Sequence, residues 1–129
     1  DGMAATPAKA AAGLRELAPG STIAIAGGHR RLGGSLVHAS GPELEQLERF
    51  CALLATLRHV VCFGDAGAEL ARRLPNASRV PDLAAAWTAA RGEASPGVTI
   101  ALAPGFPLTL DERRAFAAYV SSGAIDATE

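Results

Sequence analysis

Two periodicities alternate along this chain. Short blocks of consecutive apolar residues, bounded by glycine, proline or small polar residues, alternate with longer stretches in which apolar positions return every three or four residues. The second pattern comes first. Residues 4–17 are helix-forming, with Pro7 in the first turn, Ala10, Leu14 and Leu17 on one side, and Pro19-Gly20 as the stop. Residues 21–26 then form a β-prone run closed by Gly27-Gly28. After a loop, Gly41-Pro42-Glu43 opens a second helix whose apolar positions are Leu44, Leu47, Cys51, Leu54 and Leu57, with Glu43, Glu45, Glu48 and Arg49 facing elsewhere.

The alternation continues to the end. Residues 59–63 read as a buried strand, residues 64–67 as a turn, and residues 68–74 as a short helix broken by Pro75-Asn76. Ser78-Arg79-Val80 is a weak strand. Asp82 caps a helix with Leu83, Ala86, Trp87 and Ala90 along one side. Residues 98–103 are a further strand, residues 104–107 an irregular loop and residues 110–120 the last helix. The small, polar tail, residues 121–129, is expected to fray.

Apolar blocks rather than alternating ones argue for parallel strands covered on both faces. The fold expected is therefore α/β: a Rossmann-like three-layer domain with a mainly parallel sheet of about five or six strands, spanning residues 1–120. Ligands of such sheets sit beyond the carboxyl ends of the strands. That places the loops at residues 27–34, 64–67 and 103–109 on one rim.

Composition narrows the function. The chain has 129 residues, of which 49% are hydrophobic and 19% charged, the balance of one ordinary globular domain. A net charge of −1 and only 5% aromatic residues give no electrostatic or stacking reason to bind nucleic acid. No apolar run is long enough for a membrane span, and the first residues lack the pattern of a signal peptide, so a cytoplasmic location is expected. The Asp1-Gly2 opening reads as the start of a piece of a longer chain. Cys51 and Cys62 read as small buried hydrophobes, since two cysteines at this spacing make neither a disulfide framework nor a zinc site.

The stretch Gly27-Gly28-His29-Arg30-Arg31-Leu32-Gly33-Gly34-Ser35 follows a strand and is the most suggestive motif. Gly28, Gly33 and Ser35 are spaced as in a phosphate-binding loop, but Gly34 stands where the lysine belongs. No dinucleotide fingerprint can be laid on these glycines either. Arg30 and Arg31 are either solvated loop charges or a site for a carboxylate or phosphate, which guanidinium groups pair bidentately. His29, His38 and His59 have no metal-ligand spacing, and no nucleophile elbow occurs.

Read as a whole, the chain resembles the C-terminal domain of the Mur ligases, the ATP-dependent enzymes that add amino acids to the peptidoglycan precursor, and most of all their D-glutamate-adding type. The resemblance runs from Asp1 to about Val120. Asp1-Gly2-Met3-Ala4-Ala5-Thr6-Pro7 is similar to the family's D-S-K-A-T-N-P, and Gly27 to Arg31 to its G-G-x-x-K. Phe63-Gly64-Asp65, the helix after Asp82, and the stretch from Pro96 to Gly105 follow in the family's order. Met3, Ala5 and Ala103 depart from its pattern, and the stretch after Asp111 is shortened to Glu112-Arg113-Arg114.

The resemblance implies a ligase of cell-wall synthesis that joins glutamate to UDP-N-acetylmuramoyl-L-alanine, with ATP and Mg2+ bound mainly by upstream central and N-terminal domains of the same chain. This domain closes on them, bringing the amino acid. Carried over residue by residue, Asp1 approaches the nucleotide, while Arg31 and Thr109 bind the amino acid beside the rim residues Gly27, Gly28, His29 and Arg30. No metal ligand and no catalytic residue is implied here. Read from residues alone, a stand-alone nucleotide- or anion-binding module remains open, as does a relative that adds another amino acid.

Overall fold

The computed structural model describes residues 6–29 and 42–127. Helix α1 (Pro7–Leu14) leads through a 3-10 turn at Pro19–Ser21 into strand β1 (Thr22–Gly27). Then follow α2 (Pro42–Leu54), β2 (His59–Phe63), α3 (Gly64–Arg73), β3 (Ala77–Val80), α4 (Leu83–Glu93), β4 (Thr99–Gly105), α5 (Leu110–Ser121) and β5 (Ile125–Asp126). Among the described residues the strands form one five-stranded sheet in the order β3-β2-β1-β4-β5, every pair parallel. The expected Rossmann-like three-layer architecture is what the chain adopts. No described helix is long and apolar enough to cross a membrane.

Alternation along β1 builds the layers. Ile23 and Ile25 point to one face with Val61, Phe63, Ile100 and Leu102, where α4 and α5 cover them with Leu83, Ala86, Ala90 and Phe116. Ala24 and Ala26 point to the other face with Val60, Cys62, Ala101 and Ala103, under α1, α2 and α3. Size is matched across each interface. Small alanines of the strands receive Leu47, Phe50 and Leu54 of α2, while the bulky face of the sheet receives alanines of α4. Close packing of this kind is what makes each layer fit in one register.

The helix caps follow local chemistry. Thr6 accepts from the Lys9 N–H (3.2 Å) with Pro7 in the first turn, and Asp82 accepts from the Ala85 N–H (2.8 Å). Three expectations change. In α2 the packed face is centred on Phe50, which is fully buried, whereas Leu44 is exposed, so the helical phase is set by residues 47, 50 and 54. The segment expected as a turn at residues 64–67 is the first turn of α3 itself. Gly64 has φ +74°, which lets the chain pass from strand to helix without a connecting loop.

The third change concerns the tail. Residues expected to fray instead add β5, with Ala127 N–H donating to the Leu102 carbonyl (3.0 Å) and Ala124 and Ala127 buried. Their small side chains fit beneath the helices. α1 makes room by carrying Gly13, where a Cβ would stand 1.6 Å from the Ala127 carbonyl oxygen.

Candidate functional site

With β1 central, the chain passes from β3 across to β4 on the far side, so the topological switch lies between β1 and β4. Ligands of doubly wound sheets are received beside that point, at the carboxyl ends. Here the β1 end is stitched to both neighbours. The Gly28 N–H donates to the Phe63 carbonyl (3.1 Å), the Ala66 N–H to the Gly28 carbonyl (3.2 Å), and the His29 N–H to the Pro107 carbonyl (2.9 Å). Contact is close enough that a Cβ on Gly64 would lie 2.2 Å from the Gly28 oxygen.

His29 crosses the switch. Its Nε2 lies 2.9 and 3.0 Å from the two carboxylate oxygens of Glu112 in α5, and its Nδ1 is 3.5 Å from Oδ1 of Asp65 in the first turn of α3. Nearly buried, Glu112 also accepts from the Thr109 N–H (2.8 Å), while the Thr109 hydroxyl oxygen accepts from the Glu112 N–H (3.1 Å). This reciprocal pair is a capping box, and it fixes the Glu112 carboxylate where His29 can reach it. One imidazole thereby ties together the ends of β1, β2 and β4.

Beside His29, toward the β3 edge, an open cleft of about 710 Å³ is lined by His29, Gly64, Asp65, Arg79, Val80 and Pro81. No family model, curated protein or solved structure matches the chain. The site therefore has to be read from its own geometry.

Of the residues singled out in the sequence, Gly27, Gly28 and His29 stand together on this rim. Thr109 stands on the α5 side of His29, engaged in its cap, and does not line the cleft. Asp1, Arg30, Arg31 and His38 lie outside the described residues. Sequence reasoning passed over Glu112, Asp65 and Arg79 as parts of the site. A signal existed for Glu112, because Thr109-Leu110-Asp111-Glu112 spells the capping-box pattern.

The described rim does not fit a triphosphate or its magnesium ion. The Gly28 and His29 N–H groups, which a phosphate cradle would turn toward the ligand, donate to protein carbonyls, and both rim carboxylates face the imidazole. Among the described residues no cluster of three His, Cys, Asp or Glu could hold a metal ion. What the rim offers is charge: a cation, Arg79, and a carboxylate, Asp65, among the residues that line one cleft, with an anchored imidazole between the loops.

The remaining candidates are structural. His59 lies at the opposite end of β2, with its Nδ1 against Glu93. Both cysteines are free. Burial pushes the Cys62 thiol up to about 12, with nearby Cys51 adding to the rise, and burial also raises Cys51. Such thiols are poor nucleophiles.

Proposed function

We propose that this chain is the amino-acid-receiving, closing domain of an ATP-dependent amide-forming ligase of the Mur type. The observation that supports it is a shared location. Three of the segments that carry the sequence resemblance, Gly27 to Arg31 as far as it is described, Phe63-Gly64-Asp65, and the stretch that ends at Gly105, lie at the carboxyl rim, where the His29 imidazole reaches Asp65 and, next to the Thr109 cap, Glu112. That is the edge at which a doubly wound sheet receives its ligand.

In this reading the domain's own work is binding and positioning. It holds the amino acid by its charged ends, presents the amine to an activated carboxyl group carried by the upstream domains, and excludes water on closing. ATP and Mg2+ belong to those upstream domains, in keeping with a described rim that does not suit them. The amino acid is glutamate in the reading closest to the resemblance.

The test is an assay of the complete polypeptide that contains this chain, with ATP, Mg2+, UDP-N-acetylmuramoyl-L-alanine and a single added amino acid. Release of phosphate that depends on both the muramoyl substrate and the amino acid is expected. Phosphate release independent of the amino acid, or a polypeptide lacking a G-K-T/S loop upstream of Asp1, favours a stand-alone anion-binding module instead.

A further inference from the structure

Resting on the amino-acid-receiving reading of the rim, the geometry points to Arg79 as the residue that holds a carboxylate of the incoming amino acid. Neither composition nor the resemblance assigns this residue a role.

Arg79 is the next-to-last residue of β3, in register with Cys62 of β2, so its side chain leaves the sheet one step before the carboxyl end. β3 is an edge strand, and Arg79 is exposed rather than covered. It lines the cleft together with His29, Gly64 and Asp65. Five other described arginines are engaged: Arg72 and Arg73 with Glu69, Arg49 with Glu45, Arg114 with Asp111, and Arg91 over the Trp87 ring. Arg79 makes no hydrogen bond, ion pair or ring contact with any described residue. Its five N–H donors are available to the cleft, in the planar fork that pairs a carboxylate through two parallel bonds.

Asp65, engaged by the His29 imidazole, lines the same cleft, so the cleft that holds the Arg79 cation also carries a carboxylate. Thr109, the residue that the resemblance places at the amino acid, lies outside this cleft. Arg79 is thus the described cation positioned for the task. An edge-strand arginine also discourages sheet-to-sheet pairing, and that role predicts no ligand dependence.

The experiment is an NMR titration of the nitrogen-15-labelled chain with D-glutamate, L-glutamate and L-alanine in turn, for the wild type and for Arg79→Gln, Arg79→Lys and Arg114→Gln. Saturable shifts at the amides of Gly64, Asp65 and Val80 are expected. Arg79→Gln should weaken binding by roughly tenfold or more, the effect of losing one charge-assisted contact, while Arg79→Lys falls between and Arg114→Gln matches the wild type. Weakening for all three amino acids places the α-carboxylate on Arg79; weakening for the glutamates alone places the side-chain carboxylate there.

Shifts that ignore Arg79→Gln, or no saturable shift at these amides, overturn the assignment. The two readings fail separately. Amino-acid-dependent phosphate release by the complete polypeptide, with an unchanged KM in Arg79→Gln, removes Arg79 and leaves the ligase. Arg79-dependent binding without such turnover removes the ligase and leaves the carboxylate site.

Discussion

His29 and Glu112, 83 positions apart, meet across the β1–β4 switch point, with the imidazole Nε2 within 3.0 Å of both carboxylate oxygens. The same carboxylate closes the capping box on the Thr109 N–H. Its loss therefore removes both a helix cap and the anchor of the rim. Glu112→Ala is expected to lower stability by about 1–3 kcal/mol. Glu112→Gln keeps an oxygen for the Thr109 N–H and should lose less. Urea denaturation of the two variants checks this, and equal losses would separate the cap from the imidazole contact.

Contact between the β1 and β2 rim loops is tested at Gly64. A Cβ there meets the Gly28 oxygen at 2.2 Å on a backbone of φ +74°, whereas Gly97 has φ +88° with nothing within 4 Å of its Cβ position. Gly97→Ala should cost about 1–2 kcal/mol from backbone conformation alone. Gly64→Ala adds an overpacking cost of about 1–3 kcal/mol. Equal midpoints in chemical denaturation would mean that the two loops do not press together.

The buried thiol gives a pH signature. Cys62 ionises near 9.0 when exposed in the unfolded chain and at about 12 in the folded one, because burial disfavours the thiolate and Cys51 lies nearby. The folded state thus holds its proton longer. This contribution is fully present below about pH 9 and is lost as pH rises from there to about 12. Over that window the wild type should lose stability relative to Cys62→Ala, measured as the difference between their unfolding free energies. A pH-independent difference between the two proteins would contradict the assigned burial.

The parallel, doubly covered sheet was legible because β1, β2 and β4 are unbroken apolar blocks, which only strands buried on both faces require. The tail was not. Residues 121–129 look like a small, mostly polar end until Gly13 opens the space that accepts Ala127, and that fit depends on a residue more than a hundred positions away. Likewise His29 could be placed on a rim from sequence, since it follows a strand and two glycines. Its carboxylate partners could not. Glu112 and Asp65 reach it only through the order of strands in the sheet, which no local pattern encodes.

Amino-acid dependence in the complete polypeptide tests the account at its centre. In the ligase assay, Arg31→Ala is expected to raise the KM for the amino acid about tenfold to a hundredfold, the effect of losing one bidentate carboxylate contact, while leaving the KM for ATP nearly unchanged. Arg30→Ala should do much less, since under the proposed Mur-type reading it is Arg31 that takes the place of the lysine. The comparison should be run with D-glutamate, L-glutamate and L-alanine, and the preferred one identifies the substrate. Amino-acid-independent ATP consumption, or a KM for every amino acid that neither arginine affects, would contradict the account.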